Sequence, residues 1–381
     1  MVDFLQAVTK MYTDNMVNTF SRLIEQNIPC AYFSTFSPNE VEKGVESLLS
    51  YNINLQAIYT VNDTFTGNVG NIPILYLTED SLTKQSFNVM LIDHWEVTGA
   101  YSTLFESKGY YTLGISHLEI ANEALQKMFK HLEDYYRTYS CFIDQESRKS
   151  FLGVLVGNAT ARIADYHFAA EPQYFLDGFY PQNGDIVIDG GAFDGGTAKD
   201  FTSLGGKVYA FEMDRDNYFR CQEMANKYGF TAENMGLWND EKYASYTPGQ
   251  AGSSINDNGT EDAYFTSIDI YVEKNNLPRV DYIKLDVEGA ELDVLHGAVK
   301  SIVKYHPTMA ISAYHKAEDM WQLRDYISAI CPRYEFAYRH YKIDVHDYML
   351  NDIWRNEFRR MGMELYVPTH WEHVLYCRYR S

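Results

Sequence analysis

The stretch Gly184–Asp200 reads GDIVIDGGAFDGGTAKD, and its reading decides how the rest of the chain is understood. Ile186, Val187 and Ile188 are an apolar, β-branched run of the kind found in a strand buried on both faces of a parallel sheet. The run passes through Asp189 into Gly190, Gly191, Ala192, Phe193, Asp194, Gly195, Gly196 and Thr197, after which Ala198 to Phe201 suits the start of a helix. The pattern predicts a first strand, a glycine-rich turn and a helix N-terminus. Glycines let a backbone come close to a ligand, and free amide groups at a helix start favour a carboxylate or a phosphate.

Spacing separates the ligand classes that use such a turn. A dinucleotide fingerprint needs G-x-G-x-x-G, but Ala192 and Phe193 stand where its second glycine would fall. No lysine follows the glycines, which removes a Walker A loop. The remaining pattern, Asp-Gly-Gly-x-x-Asp-Gly, puts Asp189 and Asp194 where a pyrophosphate would be repelled and the ammonium of an amino acid attracted. S-adenosyl-L-methionine has that ammonium, a sulfonium and no phosphate, so it fits better than NAD. An ordinary strand-to-helix turn is the competing reading.

Composition bounds the partners. The chain has 381 residues, 46% of them hydrophobic, enough for two domains with cores of their own. A net charge of -20 argues against nucleic acid, since counterion release needs clustered cations. Asp3 follows the initiator and no apolar run reaches spanning length, giving the expectation of a cytoplasmic protein without a membrane span. The five cysteines, Cys30, Cys141, Cys221, Cys331 and Cys377, are far apart and never form C-x-x-C, so they read as reduced thiols. A homo-oligomer is compatible with the sequence but not specified by it.

Before the glycine turn, residues 4–24 read as one amphipathic helix, and Ser37-Pro38-Asn39-Glu40 as a helix start with a capping box. Strand-like runs at 31–34, 55–61, 72–77, 87–92 and 111–115 alternate with helical segments and predict a small Rossmann-like α/β domain. Its first strand-to-helix turn lacks glycine, so it is read as a partner or substrate module. The pattern from 117 to 170 is helical, and the boundary is placed near residue 140, giving domains 1–140 and 141–381.

After the turn, 207–213 reads as a second strand, with Glu212 and Met213 at its carboxyl end. Glu212 lies where an acid accepts hydrogen bonds from both ribose hydroxyls of an adenosine. A third strand near 231–237 brings Gly236 and Leu237, followed by Trp238 and Asn239, to the adenine side. The polar stretch 247–260, with Ser253 and Ser254, reads as a loop and candidate lid. A fourth strand, 282–285, runs into Asp286-Val287-Glu288-Gly289-Ala290-Glu291, where acids emerge from a buried strand and packing alone does not explain them. A fifth, 308–313, ends at Tyr314, His315 and Lys316, at the carboxyl end where open α/β sheets bind ligands. Runs at 334–341 and 373–379 predict a closing antiparallel pair. His370, Glu372 and His373 lack a further ligand cluster, so no metal is expected.

The combination IDGGAFDGGTAKDF, YIKLDVEGAELDVLHGA and Pro307 before the fifth strand resembles the FkbM family of S-adenosylmethionine-dependent methyltransferases. The resemblance runs from about Asp144 to Cys377 and includes Asp144–Arg148, Tyr174-Phe175, Ser267-Ile268-Asp269 and His373–Tyr376. It implies a class I methyltransferase fold, a doubly wound, Rossmann-like seven-stranded sheet with the last strand antiparallel, preceded by the smaller α/β domain. It implies O-methylation of a sugar or polyketide hydroxyl, hence a small-molecule or glycan acceptor, as in polysaccharide biosynthesis. By position Asp189, Gly191 and Asp194 would hold the methionine part, Glu212 the ribose, and 286–291 the wall between cofactor and acceptor. Where many members carry an acid after the fifth strand, this chain has Tyr314-His315-Lys316. His315 is then the first candidate for general base and Glu288 the second, with Asp286 orienting cofactor or acceptor. The alternative is a catalytically inactive protein that keeps the fold as a partner-binding module.

Overall fold

The computed structural model describes residues 2–83, 85–93, 96–115, 118–249, 254–255, 259–344, 356, 358–363 and 366–380. They fall into two units, one of Met1–Tyr139, Lys149–Ala169 and His340–Glu372, the other of Ser140–Arg148, Ala170–Arg339 and His373–Ser381. The division read near residue 140 is thus the first of five chain crossings. Periodicity finds contiguous elements; it does not find what a later segment packs against.

The first unit holds strands β1 (Cys30–Ser34), β2 (Leu55–Thr60), β3 (Gly67–Val69), β4 (Ile72–Tyr76), β5 (Val89–Ile92) and β6 (Tyr111–Gly114) in the order β3-β4-β2-β1-β5-β6. All neighbours are parallel except the β3–β4 hairpin, whose three-residue outer strand is too short for a sequence pattern to reveal. The helix expected over 4–24 is two helices, Val2–Thr13 and Met16–Glu25, because the Asn15 side chain accepts the Asn18 amide and caps a new start. Ser37 and Glu40 make the expected capping box at Pro38–Ser50, with the Ser37 amide donating to Glu40 Oε2 at 3.1 Å. Phe358 and Met361, late in the chain, belong to the same core as Phe33, Tyr59, Tyr101 and Phe105.

In the second unit β7 (Ile186–Gly190), β8 (Lys207–Phe211) and β9 (Thr231–Glu233) lie in one sheet. The short β10 (Gly236–Leu237) leaves it to join β11 (Lys242–Thr247), β12 (Ser254–Ile255) and β13 (Glu261–Thr266) in a four-stranded sheet ordered β10-β13-β11-β12. The expected third strand is therefore two, in different sheets. Within the stretch read as a loop, Thr247 ends β11 and Ser254 and Ile255 form β12, while 248, 249, 259 and 260 lie outside strands; beside it Tyr246 is buried with Ala263 and Phe265 against Met213 and Trp238. Ser253, named with the candidate lid, lies outside the described residues, as do 250–252 and 256–258.

The large sheet continues with β14 (Tyr282–Leu285), β15 (Thr308–Ser312), β16 (Tyr334–Asp344) and β17 (Tyr366–Tyr379), in the order β16-β17-β15-β14-β7-β8-β9. The strands from β9 to β15 run parallel and β17 is antiparallel to β15. Among the described residues no helix is long and apolar enough to cross a membrane.

One ion pair sits at the centre of this sheet. Lys284, in the middle of β14, is directly opposite Asp189 of β7 and places its Nζ 3.1 Å from Asp189 Oδ1. The same ammonium donates to the carbonyls of Gly191 at 2.6 Å and Gly190 at 3.3 Å, which occupies its three N–H groups. Burial pushes the Asp189 carboxyl up and would push the lysine down, but the charges of Asp189 and Asp286 win at Lys284 and hold it protonated. We take the pair as ionised, because three acceptors suit an ammonium.

The turn above this pair is closed by a backbone approach. Gly191 has φ +71, and a Cβ there would stand 1.7 Å from the Asp286 carbonyl oxygen. Gly191→Ala is therefore expected to lower stability by more than ~1 kcal/mol, since both conformation and space forbid the methyl; an unchanged thermal midpoint would remove the constraint. Lys284→Met should cost about 3–5 kcal/mol by leaving Asp189 buried and unpaired. The double variant Lys284→Met with Asp189→Leu should recover part of that loss in chemical denaturation, and additive losses would show that the two residues act separately.

Candidate active site

The glycine turn uses most of its own amide groups. Gly191 and Ala192 both donate to the Phe211 carbonyl at 3.0 Å, Phe193 donates to Glu212 Oε2 at 2.8 Å, and Gly196 donates to Asp194 Oδ1 at 2.9 Å. Gly195, at φ +85, starts the helix Gly196–Ser203, which carries Thr197, and gives its amide to Ala192. The sequence suggests free amide groups for an anion; two acids of the protein already take that place. A phosphate has no open cradle among these groups, and a phosphate-free ligand is the better fit.

Glu212 follows β8 and is 7% exposed. Its two oxygens accept the amides of Phe193 and Asp214, each at 2.8 Å, so the carboxylate is fixed in orientation. Burial pushes its pKa up to about 7 despite these bonds. Carboxylate oxygens retain further lone pairs, so two hydroxyl donors can still be accepted. Leu237 is buried and packs toward Gly190, where a Cβ would lie 2.8 Å from Leu237 Cδ1, and Gly236 is buried against Phe265.

At the ends of β14 and β15 a second group assembles. Asp286 accepts the hydroxyls of Tyr174 at 3.1 Å on Oδ2 and Tyr314 at 3.0 Å on Oδ1. Burial would raise its pKa, but the charges of Lys284 and His315 and the hydroxyls of Ser312 and Tyr314 hold it below the ordinary value. His315 Nε2 lies 3.4 Å from Glu288 Oε2 and 3.7 Å from Asp286 Oδ1, while Nδ1 lies 2.9 Å from Glu291 Oε1. Burial works against its charge, yet the three acids raise its pKa to about 9. Glu288 is the most open of them, with a third of its side chain exposed, and burial together with the charges of Asp286 and Glu291 raises it to about 7 against the pull of His315. Its backbone stands at φ +53, where a residue other than glycine is strained, and such strain gathers at functional turns.

The structure brings Asp286, Glu288 and His315 together. Asp189 is wholly buried and ion-paired with Lys284; of the two acids of the turn, Asp194 is the partly exposed one. Sequence reading missed Lys284, Tyr174 as a hydroxyl donor, and Tyr314. The signal for the lysine is present in Tyr282-Ile283-Lys284-Leu285: a charge in a strand buried on both faces needs a counterion. Asp286, Glu291 and His315 also bring one metal-ligand type atom each within 4.8 Å of one another. Their closest contacts are with each other and with tyrosine hydroxyls, the arrangement of a charge cluster.

Residues 189–365 match the family model described as the methyltransferase FkbM domain. Over 98% of both chains the fold is similar to the methyltransferase FkbM from Methylobacillus flagellatus KT, at 18% identity and a TM-score of 0.63. The C-terminal domain of precorrin-6Y C5,15-methyltransferase from Rhodobacter capsulatus is a more distant likeness, with 12% identity, coverage of 53% of this chain and 84% of that one, and a TM-score of 0.32. No curated protein matches the sequence. The family model thus matches part of the chain, while the likeness of fold extends over nearly all of it.

Proposed function

We propose that this protein is an S-adenosyl-L-methionine-dependent O-methyltransferase with the class I, doubly wound arrangement, acting on a hydroxyl of a sugar in a surface glycan or related metabolite. The observation that carries the reading is the pairing of two strand-end sites on one sheet: a phosphate-excluding glycine turn after β7 with a fixed carboxylate at Glu212 after β8, and the acid–histidine group after the neighbouring strands β14 and β15. Ligands of open α/β sheets bind outside the carboxyl ends of the strands, which is where both lie. The sugar acceptor rests on likeness to the family. The same reading is of a cytoplasmic protein, without nucleic acid or metal in its reaction.

In this reading Glu212 accepts the ribose hydroxyls, Gly190, Gly191, Ala192 and Phe193 shape the floor, Asp194 faces the ammonium, and Met213, Gly236 and Leu237 line the adenine side. When bound, the cofactor supplies a methyl group already activated by its sulfonium. The protein's part is alignment of the acceptor oxygen, where positioning contributes several kcal/mol, and removal of a proton. Asp286, held by two tyrosines and ionised, orients the acceptor.

Between about pH 7 and 9 Glu288 is a carboxylate beside a protonated His315. Glu288 is therefore the group that takes the hydroxyl proton, and the protonated His315 stabilises its carboxylate form. This reverses the order of candidates suggested by sequence. The physical reason is the set of three acids around the imidazole, which keeps it charged and unable to accept a proton near neutrality. A partner-binding module without catalysis gains no support from such a cluster, since packing several carboxylates together costs stability.

Calorimetric titration with S-adenosylhomocysteine should show binding that strengthens as pH rises through about 7, because the ribose hydroxyls need the ionised form of Glu212. Glu212→Gln should bind roughly ten- to a hundredfold more weakly and lose that pH dependence; wild-type affinity in the variant would take Glu212 out of the ribose role. With a sugar acceptor and saturating cofactor, kcat should rise with pH through about 7 as Glu288 ionises. Glu288→Gln should lower kcat by about 10²- to 10⁴-fold and abolish that rise. Failure of the wild type both to bind the homocysteine product and to methylate any of a panel of mono- and oligosaccharides would overturn the reading.

A further inference from the structure

We infer that Glu291 is a positioning residue of this site, acting through His315 to hold the Glu288 carboxylate at the acceptor. The inference rests on the methyltransferase reading above and extends it to a residue that the mechanism uses only as one of three charges around the imidazole. Glu291 is the first residue of the short helix Glu291–His296 and has no solvent exposure. Its Oε1 accepts the amides of Val287 at 2.9 Å and Gly289 at 3.5 Å, so the turn after β14 wraps around the carboxylate of its own last residue. Oε1 also lies at ion-pair distance, 2.9 Å, from His315 Nδ1, while Oε2 and both ring nitrogens of His315 are buried without a hydrogen-bond partner.

A fully buried carboxylate with one oxygen unsatisfied needs a cation beside it, and His315 is the one in contact. One carboxylate thus ties the turn after β14 to the turn after β15. Because Nδ1 is turned inward to Glu291, Nε2 points outward to Glu288 and Asp286. The imidazole is fixed by one acid and presents its other nitrogen to the reacting pair, the division of labour of a histidine oriented by a buried carboxylate.

The groups facing the ring are Glu291 at Nδ1, Glu288 and Asp286 at Nε2, and the Tyr314 ring, whose centroid is 4.2 Å away. Asp319, buried beside Glu291 and raised to about 7 mainly by burial, accepts the Lys316 amide. The Lys316 side chain reaches the Gly289 carbonyl. Loss of the Glu291 charge leaves the ring with two carboxylates and removes the contact that sets its orientation.

The test is Glu291→Gln, which keeps an oxygen for the Val287 amide, studied in the full chain by two readouts. In imidazole ¹⁵N NMR the His315 midpoint should fall by at least one pH unit, and its protonated Nδ1 signal should lose its carboxylate-bonded shift. In turnover, kcat should drop roughly a hundredfold while S-adenosylhomocysteine affinity stays within about twofold, as for loss of an oriented acid–base group. In a His315→Asn background, adding Glu291→Gln should lower kcat no further. An unmoved His315 midpoint, or additive losses in the double variant, would overturn the inference even with methyl transfer intact. The NMR arm needs no acceptor, so a failed methyltransferase assay leaves it decisive for the coupling.

Discussion

The site depends on a single buried ion pair. Lys284 and Asp189 sit opposite one another on adjacent central strands, out of water, and the lysine's remaining donors hold the carbonyls of Gly190 and Gly191. Two charges removed from solvent are costly, and the arrangement is tolerable only because each donor is used. Its consequences are geometric. The carbonyls are pulled down, the turn closes on Asp286 with no room for a side chain at Gly191, and the amides of the turn are directed to Phe211 and Glu212. The form of the cofactor side is thereby set before any ligand arrives.

The acceptor side works by an imbalance of charge. Four carboxylates, Asp286, Glu288, Glu291 and Asp319, gather about one imidazole, and each solves its own problem differently. Asp286 is held below its ordinary pKa by Lys284, His315 and the Ser312 and Tyr314 hydroxyls. Glu291 has amides and His315, whereas Glu288 and Asp319 have less and are pushed upward by burial. Groups whose surroundings push them apart in this way divide into orienting acids and proton acceptors without any change of residue type.

How much of this the sequence discloses depends on what each residue interacts with. The strand, turn and helix from Gly184 are legible because a β-branched run and clustered glycines are local signals. The acids after β14 are legible because charge emerging from a buried strand has no packing explanation. The pairing of Asp189 is hidden for the opposite reason: its partner, Lys284, lies 95 residues away, and only the sheet order places the two side by side. The rank of His315 as a base likewise depends on three acids from another turn, which spacing cannot assign to it. The small sheet of β10 to β13 is missed because its edge strands β10 and β12 are two residues long, too short for any alternation to show, although Tyr246 and Phe265 are buried in it.

The five crossings of the chain between its two units bear on biosynthesis. Tyr101 meets Phe358 with ring centroids 5.6 Å apart, and the Leu77 carbonyl accepts Arg360, all within the first unit. A chain leaving the ribosome in order has made every strand of that unit's sheet by residue 114, yet lacks the aromatic lid of its core for another 240 or so residues. The second unit waits too, since β17, which borders β15, is the last strand made. Neither half can be completed until these late segments have been made, so the core of each waits on residues far along the chain.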